Sequence, residues 1–304
     1  MTKYDETTTN NGKKPFNTFR KSRVKRTTSA GKVATILKCN TVDIKVAEIF
    51  ALAQPDAIWL CMEHGSLDYN QAENQSNAAK IYDVDSLLRV NRGSYSNYIR
   101  GLEVDCTGLI IPQIKSLADA KEIEEFTKFP PIGKRGVDGG NNDGKYTKLD
   151  MAEYIKQANQ ERLVIYQIET PEVINDVEAI AEMEGVDALF FGPGDYSLSL
   201  GVPGQMDHPD VVSARKKVAE VARKNNKIAA TPGGPGVAKN YIDMMTDYWL
   251  ELHGDRLYAD DPSIICGIAI LDGFKFFIIA QEKGRGTKDK VFRNFGMPKP
   301  EGYR

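Results

Sequence analysis

Cysteine is scarce and scattered in this chain. Cys39, Cys61, Cys106 and Cys266 are the only four in 304 residues, and no two of them form a CxxC pair. Neither a zinc ribbon nor a disulfide framework is suggested, and a reduced, cytoplasmic setting is the expectation. Long apolar runs are missing as well. Nothing in the sequence is apolar for long enough to span a bilayer, and the N-terminus lacks the apolar segment of a signal peptide, so no membrane partner is expected. A formal net charge of -2 gives no general reason to expect nucleic acid. There is no Walker sequence, no GxGxxG, no internal repeat and no low-complexity linker.

What remains is a regular alternation of short apolar strands with amphipathic helices. Strands are expected at Val33–Leu37, Ala57–Met62, Ser86–Val90, Gly108–Pro112, Leu163–Ile168, Asp187–Phe191, Lys227–Ala230 and Ile265–Leu271. Helices follow at Val42–Leu52, Tyr69–Ile81, Tyr95–Leu102, Leu117–Phe126, Pro171 to Gly185, Pro209–Lys224, Val237–Leu250 and Phe274–Lys283, with an extra one at Met151–Gln160. Eight strands, each with its helix, in about 250 residues is the arithmetic of a (β/α)8 TIM barrel. The expected organisation is a single α/β domain over residues 31–284. Residues 1–30, with seven basic residues between Lys13 and Arg26, would form a mobile or docked arm, and 285–304 an extended tail. Glu251 to Ser263 reads as an insertion before the eighth strand.

The most informative stretch is LVIYQIETPEVINDVEAIAEMEGVDALFFGPGDYSLSLG, Leu163 to Gly201. Its two strands are almost continuously apolar, as buried parallel strands are, and each ends near a carboxylate, Glu169 and Asp195. In a parallel α/β fold these strand ends share one edge of the sheet. Two carboxylates in a dry cleft repel unless a cation or a shared proton lies between them, and Mg²⁺ or Mn²⁺ needs only one or two protein carboxylates. The same edge gathers Glu63 and His64 from the second strand and Arg89 from the third. An arginine inside an apolar strand needs an anionic partner, which a substrate carboxylate would supply. The glycine-rich loop FPPIGKRGVDGGNNDGKY, containing Arg135, reads as a lid.

In order and spacing, the segments WLCMEHG, LLRV, LIIPQIKSLADAKE, FPPIGKRGV, VIYQIET and GVDALFFGPGDYSLSLGVPGQMDHPDV resemble the metal-dependent class II pyruvate aldolases typified by 4-hydroxy-2-oxoheptane-1,7-dioate aldolase. That resemblance implies a barrel of the phosphoenolpyruvate/pyruvate superfamily, assembled as a hexamer of dimers that exchange their last helix. It implies cleavage or formation of 4-hydroxy-2-oxo acids through a pyruvate enolate held by Mg²⁺, Mn²⁺ or Co²⁺. By position, Glu169 and Asp195 would bind the metal and His64 would be the acid/base group. Arg89 would contact the pyruvyl oxygens, and the Gly194 and Asp195 amides would hold the carboxylate. Gln167 would contact the substrate, and Arg135 would border the aldehyde pocket. Glu63 and Cys61 would support His64.

Two positions depart from that pattern. An aspartate commonly stands three residues before the histidine, where this chain has Cys61, and the loop after Val137 lacks the small, arginine-containing segment of the diacid aldolases. A histidine without a carboxylate partner is a poorer base, which gives weight to oxaloacetate decarboxylation through the same enolate. A non-catalytic barrel binding a metal and a keto acid, or an RNA-associated protein using its basic arm, are the readings from other classes.

Overall fold

The structure, a computed structural model, describes residues 19–233, 248–254, 259–271, 274–284 and 286–303. It divides into two compact units, residues 1–231 and 232–304. The compact boundary therefore falls near Thr231, and not at 284 as the single-barrel expectation had it.

The first unit is built on seven parallel strands in sequential order: β1 Ile36–Cys39, β2 Ala57–Cys61, β3 Asp85–Arg89, β4 Gly108–Ile111, β5 Leu163–Ile168, β6 Ala188–Phe191 and β7 Ile228–Ala230. β3 to β6 are buried along their whole length, which is why β4 and β6 are apolar without alternation and why the polar ends of β3, Asp85 and Arg89, have partners. The sheet curls into a half-barrel with two apolar faces. Leu60, Leu88, Leu109 and Val164 are register partners and pack outward with the helices. Ala57, Leu87, Ile110, Ile165, Ala188 and Phe190 line the concave side. Each such buried Leu or Phe contributes roughly 1.5–3 kcal/mol by leaving water. The helices begin where side chains cap them; Asp68 and Gln71 form a reciprocal capping box for α3, Tyr69–Ile81, and Ser116 caps α5, Leu117–Thr127.

A helix preceding β1, α1 Arg23–Ser29, closes the N-terminal end of the sheet. The Ser22 hydroxyl and the Val24 amide both donate to Asp85, and Val24 is buried in the concave cluster. Arg23, Lys25 and Arg26 pair with Asp56, Asp187 and Asp83. The second half of the basic stretch is thus a packed element with its charge matched by carboxylates at the strand starts. The helix expected from Pro171 to Gly185 is split into a 3-10 turn, Glu172–Asn175, and α7, Val177–Glu182, because Asp176 turns to accept the Leu117 amide.

The segment expected as the eighth strand is a strand, but among the described residues it is not paired into the parallel sheet, and the helix expected after it is not formed. Val237 to Thr246 and Asp247 lie outside the described residues; Tyr248–Leu252 is a strand, β8. The segments β9, Ile264–Leu271, and β10, Phe274–Gln281, pair antiparallel with each other, and β8 pairs antiparallel with β9, in a separate three-stranded sheet. Phe274 is the register partner of Leu271 at one end of this pairing, and Gln281 that of Ile264 at the other. The segment expected as a last helix available for exchange is therefore a strand. The expected insertion becomes the connection between β8 and β9. The tail is also structured: a helix Thr287–Phe292 is followed by 3-10 turns at Asn294–Gly296 and Pro300–Tyr303. It is tied down by the Lys299 amide donating to Asp261 and by Arg293 to the Pro262 carbonyl. Among the described residues no helix is long and apolar enough to cross a membrane.

Candidate active site

At the C-terminal edge of the parallel sheet the register brings four strand ends together. Cys61 and Arg89 are direct cross-strand partners at the ends of β2 and β3. Ile168 and Phe191 are partners at the ends of β5 and β6, which sets Glu169 beside Gly192. The Gly192 amide donates to the Ile168 carbonyl at 3.1 Å. A Cβ on Gly192 would lie 2.7 Å from Glu169 Oε1 and 2.8 Å from its Cγ, so only glycine leaves room for the glutamate to fold over this turn. The chain then enters a short helix, α8 Pro193–Ser199, with Gly194 and Asp195 in its first turn. Amides in a first turn have no partner four residues back.

Glu169 is buried at 3% exposure, yet carries a carboxyl group. Two donors hold it: the Gln113 amide reaches Oε2 and the Gln167 side-chain nitrogen reaches Oε1, each at 2.9 Å. Gln113 takes a positive φ of 49° just beyond β4, an unusual backbone state for a residue with a side chain, and that turn aims its amide at Glu169. Burial pushes the Glu169 carboxyl up to about 7. The Gln113 amide opposes the rise, Asp195 and Glu63 add to it by repulsion, and Arg89 counteracts it. Glu169, Asp195, Glu63 and Arg89 therefore feel one another's charge.

This donor set suits a hard divalent cation. A buried carboxyl that resists ionisation beside two further acids gains most from a positive charge, and Gln167 Oε1 is a buried acceptor with no partner. Among the described residues no three His, Cys, Asp or Glu side chains gather as a complete cage. A site with Glu169 and Asp195 as its two protein ligands leaves the remaining positions to substrate and water, which is how Mg²⁺ is usually bound.

Arg89 is buried and already engaged. Its Nε and Nη2 donate to Cys61 Sγ at 3.3 and 3.1 Å, and Nε pairs with Glu63 at 3.1 Å. Nη1 takes no part in these contacts. His64 is exposed, with Nε2 3.5 Å from Glu63 and its amide 3.5 Å from Cys61 Sγ. The carboxylate neighbour of the histidine is thus Glu63, while Cys61 serves the arginine. Trp59, to which the sequence reading gives no role, packs edge-on against Phe190 of β6 with ring centroids 5.4 Å apart, and Arg89 stacks over its indole at 4.8 Å. Its inward position two residues before Cys61 was the available signal.

Arg135 is not with this group. It is buried against Asp143 at 3.1 Å and Tyr154 at 3.3 Å, and it lies 4.4 Å over the Phe129 ring. Asp143 also binds Arg162, which in turn binds Asp105; these two residues precede β5 and β4. The network therefore belongs to the N-terminal end of the sheet, opposite the strand ends that hold Glu169. A buried guanidinium has to be paired, and the loop supplies Asp143 for that purpose.

Comparison with known proteins gives the two parts of the chain different relatives. The HpcH/HpaI aldolase/citrate lyase family matches residues 37–231. Residues 214–304 match a different one, the acetyl co-enzyme A carboxylase carboxyltransferase-like family. A pyruvate aldolase of Rhizobium etli is 34% identical over 210 residues, covering 69% of this chain and 80% of that protein. A 2-keto-3-deoxy-L-rhamnonate aldolase of Klebsiella pneumoniae is 30% identical over 55% of this chain and 62% of its own length, so the match spans under two thirds of that relative. An HpcH/HpaI aldolase structure from Desulfitobacterium hafniense superposes with a TM-score of 0.66 at 28% identity, covering 73% of this chain and 86% of its own.

Proposed function

The chain belongs to the HpcH/HpaI aldolase/citrate lyase family, and from that premise we propose that it is a divalent-metal-dependent lyase cleaving or forming 4-hydroxy-2-oxo acids. The observation that carries this reading is the Glu169 carboxyl, buried, raised to about 7 and set among Asp195, Glu63 and Arg89. A divalent cation held by Glu169 and Asp195 would supply Lewis-acid stabilisation of negative charge on the substrate keto oxygen.

The side chains do the rest. The amides of Gly194 and Asp195 receive the substrate carboxylate, and Arg89 Nη1 faces the oxygen on which charge develops, in surroundings of low dielectric. Cys61 and Glu63 keep that guanidinium from swinging away. In cleavage His64 takes the C4 hydroxyl proton, the O–H electrons become the aldehyde carbonyl, and the C3–C4 pair passes into the pyruvate enolate. The proton is then returned to C3. Glu63 stabilises the imidazolium between the two transfers.

The test is to incubate the protein, supplied with Mg²⁺, Mn²⁺ or Co²⁺, with pyruvate and a panel of aldehydes that includes hydroxyaldehydes, and to identify condensation products. Products that vanish on chelation support the reading; none from any aldehyde overturns it. A second reading, oxaloacetate decarboxylation, is favoured by one observation. His64 is exposed and touches Glu63 only at 3.5 Å, and loss of CO₂ needs no base on a hydroxyl. Pyruvate released from oxaloacetate but from no 4-hydroxy-2-oxo acid would select it.

A further inference from the structure

We infer that Lys38 is a substrate-binding residue that recognises a second carboxylate on the oxo acid, so that the site is built for 2-oxo dicarboxylates. This rests on the proposed function and deepens it. Lys38 lies one residue before the end of β1 and is the register partner of Trp59, which places it in the inward row of the sheet. Its Nζ stands 4.8 Å from the centre of the Trp59 ring, the same ring over which Arg89 lies at 4.8 Å.

The two cations differ in what balances them. Arg89 is paired with Glu63 and bound by Cys61. Lys38 is exposed, and among the described residues no carboxylate lies within ion-pairing distance of its Nζ; the indole is its sole neighbour of that kind. Its row partners on the next two strands are Trp59 and Leu87, so the ammonium is on the same side of the sheet as that apolar floor. The indole Nε1 of Trp59 is itself a buried donor without a partner. An oxo acid anchored at Gly194 and Asp195, with its keto oxygen toward Arg89, would extend across the Trp59–Phe190 floor towards β1. The Lys38 ammonium on β1, together with the unpaired Trp59 N–H, would match a terminal carboxylate.

The experiment uses the full chain carrying Trp249→Phe, which leaves Trp59 as the sole tryptophan. Its fluorescence is titrated, with Mg²⁺ present, against pyruvate and against a matched pair, 2-oxoglutarate and 2-oxopentanoate, which differ in a terminal carboxylate versus a methyl group. The expected result is a preference of roughly tenfold or more for 2-oxoglutarate, the size of a charge-assisted hydrogen bond. Lys38→Met should abolish that preference while leaving pyruvate binding and the thermal midpoint unchanged, and Lys38→Arg should keep it. No preference in the parent, or an equal preference in Lys38→Met, overturns the inference while pyruvate still binds. If pyruvate fails to bind as well, the proposed function falls with it.

Discussion

Arg89 donates two hydrogen bonds to Cys61 Sγ, at 3.3 and 3.1 Å, where related sequences are expected to carry an aspartate. The thiol does for the arginine what a carboxylate would otherwise do for the histidine. Cys61→Ala removes both contacts but leaves the Glu63 pair. The KM for pyruvate should therefore rise on the order of tenfold, the size of one or two lost neutral hydrogen bonds, with kcat falling less. Steady-state kinetics decide it: an unchanged KM would mean that Glu63 alone aims Arg89.

The carboxylate pair and the histidine should fail differently. Glu169→Ala or Asp195→Ala removes a ligand for the cation and should bring turnover to background at any divalent metal concentration. His64→Ala removes a proton carrier, a loss of roughly 10²- to 10⁴-fold that leaves a measurable remnant. Equal residual rates in the three variants would contradict the division of roles.

Proton release should accompany metal binding, and its direction follows from Glu169. This carboxyl keeps its proton up to about pH 7 in the folded protein against an ordinary value of 4.5, because of burial first and of Asp195 and Glu63 after it. A raised acid binds more protons folded than unfolded between those values, so metal-free stability falls as pH rises from about 4.5 to about 7. Calorimetric titration with Mg²⁺ in buffers of different ionisation enthalpy should show about one proton released near pH 6 and almost none near pH 8. The same count at both values would mean that the ion does not displace a proton from Glu169.

The two halves of the chain differed in how much their sequences disclosed. Leu163–Ile168 and Ala188–Phe191 are buried along their whole length and are each followed closely by an acid, so the parallel sheet and its direction are legible in the sequence. Phe274–Gln281 was ambiguous, because a short run such as FKFFIIAQ fits a buried helix turn or a strand equally well. A helix is the expectation there, whereas the aromatic and β-branched residues of the run suit the strand that forms. Neither the Gln113 amide nor the grip of Cys61 on Arg89 was legible, since a backbone turn and a cross-strand contact leave no periodic mark. Arg135 looked like a lid residue because nothing local distinguishes a loop arginine that faces ligand from one that faces Asp143.

That last distinction can be measured. Arg135 shares Asp143 with Arg162, and Asp105 binds Arg162 from the other side, all of them buried. Burial alone would raise the Asp105 carboxyl, but Arg162, Lys145 and Lys80 outweigh it and hold it well below the ordinary 3.8. A depressed acid stabilises the fold above its unfolded value and loses that contribution as pH falls, so removing Arg162 should shift acid unfolding to higher pH as well as weaken the fold. Arg162→Met should cost about 3–5 kcal/mol in urea unfolding, the usual consequence of removing one partner from a buried ion pair, and Arg135→Met should cost less because Tyr154 and Arg162 still hold Asp143. Neither change should alter kcat or KM when measured well below the unfolding midpoint. A raised KM for the aldehyde in folded Arg135→Met, with the pyruvate KM unaffected, would instead place this loop residue at the acceptor pocket.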